Sequence, residues 1–234
     1  MAFYLSVFPY FTSYLMVVHN QSITSAGRIT LTFTFASSVA SIAVSLLIKY
    51  TGHYKYFVVF GACLYLLGLG IMMVYRVQGA SVATIVGCQV VVGVGGGVLN
   101  VPAQLGVQAS AKHGQVAAAT AIFLTILQIG GAVGSAISGA VWTNNLLDKL
   151  TRYLPPESSS QASEIYGDVT IASTRWAEGT PERDAINRAY EETMYILLTI
   201  ALCAAAPLVP LSLFMKNYRL DKASASMFLT ADQI

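Results

Sequence analysis

No carboxylate side chain occurs before Asp148, which argues against paired-acid catalysis in the first three-fifths of the chain. Charge of either sign is scarce: 10% of the 234 residues are charged, against roughly 25% in an average soluble domain. A water-soluble globule is thereby excluded, and with only 13 Lys and Arg the chain lacks the basic surface of a nucleic-acid binder. Cysteine is rare as well. Cys63, Cys88 and Cys203 each lie in an apolar stretch, with no C-x-x-C spacing and no neighbouring His, so they are expected to be buried small hydrophobes rather than a disulfide or metal site. His19, His53 and His113 all lie in or beside loops, which leaves no Ser/His dyad within an apolar stretch and makes an enzyme improbable.

Apolar residues are plentiful, at 55% of the chain with a mean hydropathy of +0.62. Six stretches are long enough to cross a hydrocarbon layer of roughly 30 Å. They are 2–18, 29–48, 56–75, 82–104, 116–142 and 193–215, which predicts an all-α membrane protein built as a six-helix bundle. Domain organisation follows: five spans over 1–142, an outward-facing loop with short amphipathic helices over 143–192, a sixth span over 193–215, and a tail over 216–234. Lys49, Lys55, Lys112, Lys216, Arg219 and Lys222 gather on one side, against Arg28 and Arg76 in the short loops of the other. By the positive-inside rule the first side is cytoplasmic, so the 143–192 loop lies outside. Met1-Ala2-Phe3-Tyr4 enters the first span with no basic lead, which fits a chain that starts partway through a larger protein.

Small residues crowd the fourth and fifth spans, and Gly93/Gly97 and Gly130/Gly134 have the spacing that lets helix backbones approach closely. Asn100 and Pro102 should unwind or kink the fourth span, and Pro207 and Pro210 the sixth. No Asp, Glu, Lys or Arg lies deep in any span. The polar groups there are Tyr10, Tyr14, Gln89, Asn100, Gln104 and Gln128, which are expected to line an uncharged, hydrogen-bonding cavity suited to a bulky polar solute. A proton-coupled mechanism would need a carboxylate at the outer edge, where Glu191 and Glu192 stand, or elsewhere in a larger protein. In the loop, Leu146, Leu147, Leu150, Tyr153 and Leu154 predict a surface amphipathic helix ending at Pro155-Pro156, and Ser158-Ser159-Ser160-Gln161 a flexible linker. Thr180-Pro181-Glu182 reads as a helix start, and Tyr166 and Trp176 are candidate binding residues.

Several segments together resemble the C-terminal half of fungal siderophore-iron transporters of the major facilitator superfamily. They are Asn20 to Arg28, Leu46 to Thr51, Gly95-Gly96-Gly97-Val98-Leu99-Asn100-Val101-Pro102-Ala103-Gln104, Ala117 to Gly139, Thr180-Pro181-Glu182-Arg183 and Phe214 to Tyr218. The resemblance implies secondary transport of a ferric siderophore, with these six spans the last of fourteen, beside a missing N-terminal half or second bundle, and no cofactor. It implies a plasma-membrane location, with an endosomal or vacuolar membrane as the alternative. One departure stands out: Ile48 occupies the position where the superfamily's inner-loop gate motif carries an acid before its basic residue, here Lys49. Other functional readings are half of a fourteen-span drug–proton antiporter and a fragment that transports nothing.

Overall fold

The computed structural model describes residues 1–3 and 10–217, and every regular element among them is helical. In chain order these are α1 (Phe11–Val18), α2 (Ile23–Thr51), α3 (Lys55–Tyr75), α4 (Val82–Ser110), α5 (Val116–Tyr153), α6 (Ala162–Gly167), α7 (Val169–Thr174), α8 (Pro181–Ala205) and α9 (Leu208–Phe214). Among the described residues, five segments are long and apolar enough to cross a membrane: α2, α3, α4, α5 and the α8–α9 stretch Pro181–Phe214. Helices suit that medium because each backbone N–H is satisfied within its own segment, where no water is at hand. The first of the six predicted spans falls partly outside the described residues, and its described part is the eight-residue α1. The tail beyond 217 lies outside them too.

Boundaries depart from the hydropathy reading where local chemistry extends a helix. The fifth helix does not stop at Trp142 but continues to Tyr153. Its 38 residues span roughly 57 Å at 1.5 Å each, far more than a bilayer core. No breaker precedes Pro155, and Leu146 and Leu150 are fully buried, so the extension is held by protein packing and is not a separate helix lying on the surface. Ser159–Gln161 forms a tight helical turn rather than a flexible linker. The last span starts early: Thr180 Oγ1 accepts the Arg183 N–H at 3.3 Å, Pro181 takes the first helical position, and α8 runs without a break to Ala205. Pro207 separates it from α9. Pro102, by contrast, is absorbed inside an unbroken α4, so the expected unwinding at Asn100 does not occur.

The chain divides into two compact units, and the long helices contribute to both. The second unit comprises 32–68, 89–130 and the chain from 205 onward. Its core gathers Ala40, Val44, Ile48, Tyr54, Val58 and Val98. Within it α4 touches α2 and α3 backbone to backbone. A Cβ on Gly93 would lie 2.6 Å from the Phe33 carbonyl oxygen, and one on Gly97 would collide with that of Ser37. Gly95 meets Tyr65 in the same way, and Gly61 of α3 meets Leu99. Ser41 Oγ also donates to the Gly97 carbonyl at 3.3 Å. Cys63 and Cys203 are exposed on apolar helices and only Cys88 is buried, which corrects the expectation for two of the three.

The first unit comprises 1–31, 69–88 and 131–204. It holds α1, the loop after α3, the far end of α5, the short α6 and α7, and most of α8. All the Asp and Glu side chains of the described residues are here.

Candidate functional site

In the first unit α1, α5 and α8 bring an aromatic group together. The Tyr10 ring stacks on Trp142 with centroids 4.3 Å apart and planes within 8°, and Tyr190 meets the other side of Trp142 edge-on at 5.4 Å. Gly139 lies one turn before Trp142 on α5; a Cβ there would sit 3.6 Å from the Tyr10 hydroxyl, in ordinary contact. Trp142 is buried rather than part of an interfacial belt, while Tyr10 is half-exposed. Tyr166, also half-exposed, donates its hydroxyl to Thr143 Oγ1 at 3.4 Å. Trp142 and Tyr190 are therefore interior, and Tyr10 and Tyr166 are the members of the group that reach the surface.

Beside it, two arginines lie inside the protein where loop cations were expected. Arg76 is 7% exposed, with its guanidinium 4.0 Å from the Phe11 ring centroid and 5.2 Å from that of Tyr14. Burial pushes its pKa down to about 10, which leaves it charged at neutral pH. Arg183 is 2% exposed and donates to the Val17 carbonyl at 2.5 Å and the Ala172 carbonyl at 2.6 Å, tying α1 and α7 to the start of α8. A cavity of about 290 Å³ opens against it, lined by His19, Gln78, Glu178, Asp184 and Asn187 among others. Burial, and then the Arg76 charge, hold His19 below its ordinary pKa. Farther along α8, Glu192 binds Tyr153 Oη at 2.7 Å, Lys149 Nζ at 3.3 Å and Arg188 Nε at 3.0 Å.

The candidate residues from the sequence separate into four groups. Tyr14 is fully buried and donates its hydroxyl to the Arg76 carbonyl at 3.2 Å, so it is structural and presents no face to a solute, which corrects its expected role. Tyr10 and Tyr166 join the aromatic group, whereas Trp176 stands with Arg175, whose guanidinium lies 5.4 Å from its ring and pairs with Glu164 at 2.8 Å. In the second unit Gln89 is fully buried, and neither polar atom of its side chain has a hydrogen-bond partner among the described residues. Asn100 leaves α4 at nearly the same angle, three turns or roughly 16 Å along the axis. Asn100 and Gln128 are exposed, and Gln104 is half-buried.

Sequence reasoning missed Trp142, Tyr190 and the buried arginines. One signal was available: Arg183, Ile186 and Tyr190 recur at the three-to-four-residue spacing of a buried helical face.

Comparisons with known proteins bear on the same residues. Residues 1–145 match the Major Facilitator Superfamily. The chain is 56% identical over 226 residues to the siderophore iron transporter mirC of Emericella nidulans, covering 97% of this chain and 37% of that protein. It is 56% identical over 224 residues to MFS siderochrome iron transporter C of Aspergillus fumigatus, covering 96% and 36%. Against siderophore iron transporter ARN1 of Saccharomyces cerevisiae the identity is 30%, over 97% of this chain and 36% of the relative. The chain thus spans little more than a third of the length of these relatives. No solved structure matches it.

Proposed function

Because the chain belongs to the major facilitator superfamily, we propose that it serves as the C-terminal six-helix half of a secondary transporter that carries a ferric siderophore across a fungal membrane, coupled to protons. The observation that supports this reading most is the 56% identity to two siderophore transporters, sustained over nearly the whole chain rather than over one motif. The protein is an integral membrane protein, with several helices apolar enough to span a bilayer. The plasma membrane is its proposed site. The basic residues of the loops after α2 and α4 and of the tail face the cytoplasm, and α6 and α7 face outward.

Within the second unit, Asn100, Gln104 and Gln128 are the proposed solute-facing amides, while Gln89 lies fully buried. An amide turned toward hydrocarbon costs several kcal/mol unless it meets water or a polar partner, and Asn100 and Gln128 are exposed on apolar helices. Within the first unit, Tyr10 and Tyr166, both half-exposed, are the proposed solute contacts. The reading is tested by radiolabelled ferric-siderophore uptake in full-length protein bearing Asn100→Ala or Gln128→Ala. Uptake should fall severalfold more than membrane expression does, and unchanged uptake in both variants would return these residues to a structural role.

A further inference from the structure

The segment joining α3 to α4 is gripped at two points, and we infer that one grip, Glu191 of α8, is a proton-operated clamp on that segment. The inference rests on the transport reading above. The backbone N–H of Gln78 donates to Glu191 Oε1. Two residues earlier, the Arg76 carbonyl accepts the Tyr14 hydroxyl at 3.2 Å. A phenol does not ionise near neutral pH, so the Tyr14 grip is constant. A carboxylate is adjustable: ionised, it accepts an N–H about twice as strongly as a neutral group does, so protonation loosens this grip while leaving the other in place.

The adjacent carboxylate cannot act in this way. Glu192 is held by Tyr153, Lys149 and Arg188, all of which favour its charged form. None of the three ion pairs among the described residues includes Glu191, which is half-buried. Among the described residues, the ionisable groups facing Glu191 are Glu192 on its own helix and Tyr14 on α1, both within electrostatic reach. Arg76, the cation of the gripped segment, lays its guanidinium over the Phe11 and Tyr14 rings. Gln78 also lines the cavity shared with His19 and Asp184, so the clamped segment borders an open space. Protons arriving there release the segment and tie its opening to the pH of that side.

Hydrogen exchange of residues 76–80 tests the clamp on the purified chain in lipid nanodiscs, at about pH 3.5, below the ordinary glutamate range, and at about pH 7.5, corrected for the intrinsic pH dependence of exchange. Protection should fall about tenfold on acidification, the scale of one charge-assisted hydrogen bond. Glu191→Gln should show the low protection at both pH values, and Glu192→Gln should keep the pH response. Protection in the unsubstituted chain that does not change with pH, or a response that survives Glu191→Gln, would overturn the clamp. No solute is present in this experiment. A flat profile therefore sinks the clamp alone, while failed siderophore uptake sinks the transport reading and leaves the exchange result standing.

Discussion

At the scale of single residues, the first unit depends on buried polar groups that hold backbone from several elements at once. Arg183 serves two carbonyls that would otherwise be left without partners. Leaving each of them unsatisfied costs about 1–3 kcal/mol, so Arg183→Leu should destabilise the chain by about 2–5 kcal/mol, read as a lower midpoint of thermal unfolding in detergent. His19 gives a pH dependence of definite sign. Its pKa in the folded chain is held below the ordinary value of 6.5, so the unfolded chain binds the proton more readily. Stability from this source is complete above about pH 6.5 and is lost as the pH falls through and below that value. His19→Gln should flatten that part of the stability profile, and a slope unchanged by the substitution would assign it to other groups. These residues were hard to read from sequence, because an arginine beside a loop ordinarily faces water. What buries Arg76 is the pair of rings of Phe11 and Tyr14, more than sixty positions away in the chain.

At the scale of elements, the glycines of α4 decide how closely the helices of the second unit approach. Gly97→Val would drive a branched side chain into the Ser37 carbonyl of α2, a backbone atom with little room to move. Such overpacking costs about 1–3 kcal/mol, and α2 and α4 must separate to relieve it. A reduced yield of folded protein in detergent is expected, with Gly87→Val, where nothing lies within 4 Å, as the tolerated control. This contact was legible in the sequence from the Gly93/Gly97 spacing, as were the helix start at Thr180-Pro181 and the apolar runs of α2 to α5. Helix ends were not. Hydropathy follows the bilayer, whereas α5 continues past it because Leu146 and Leu150 find protein to bury against. The same limit applies to Trp142, whose position near a predicted membrane boundary said nothing of the tyrosines on either side of it.

At the scale of the whole molecule, the proposed role of this chain is one half of a ferric-siderophore transporter. Among the described residues the middles of α2 to α5 hold no Asp, Glu, Lys or Arg, and alternating access in such folds needs two bundles moving about a common site. Its exposed apolar helices are accordingly expected to face lipid or a second bundle. The most direct measurement is ferric-siderophore uptake in a transporter-deficient fungal strain expressing residues 1–234 alone, beside a strain expressing the same residues joined to an N-terminal half from one of the relatives. Uptake is expected from the joined protein, and none above background from residues 1–234 alone. Equal uptake by both would contradict the half-transporter claim, and no uptake by either, with both proteins present in the membrane, would contradict the siderophore assignment.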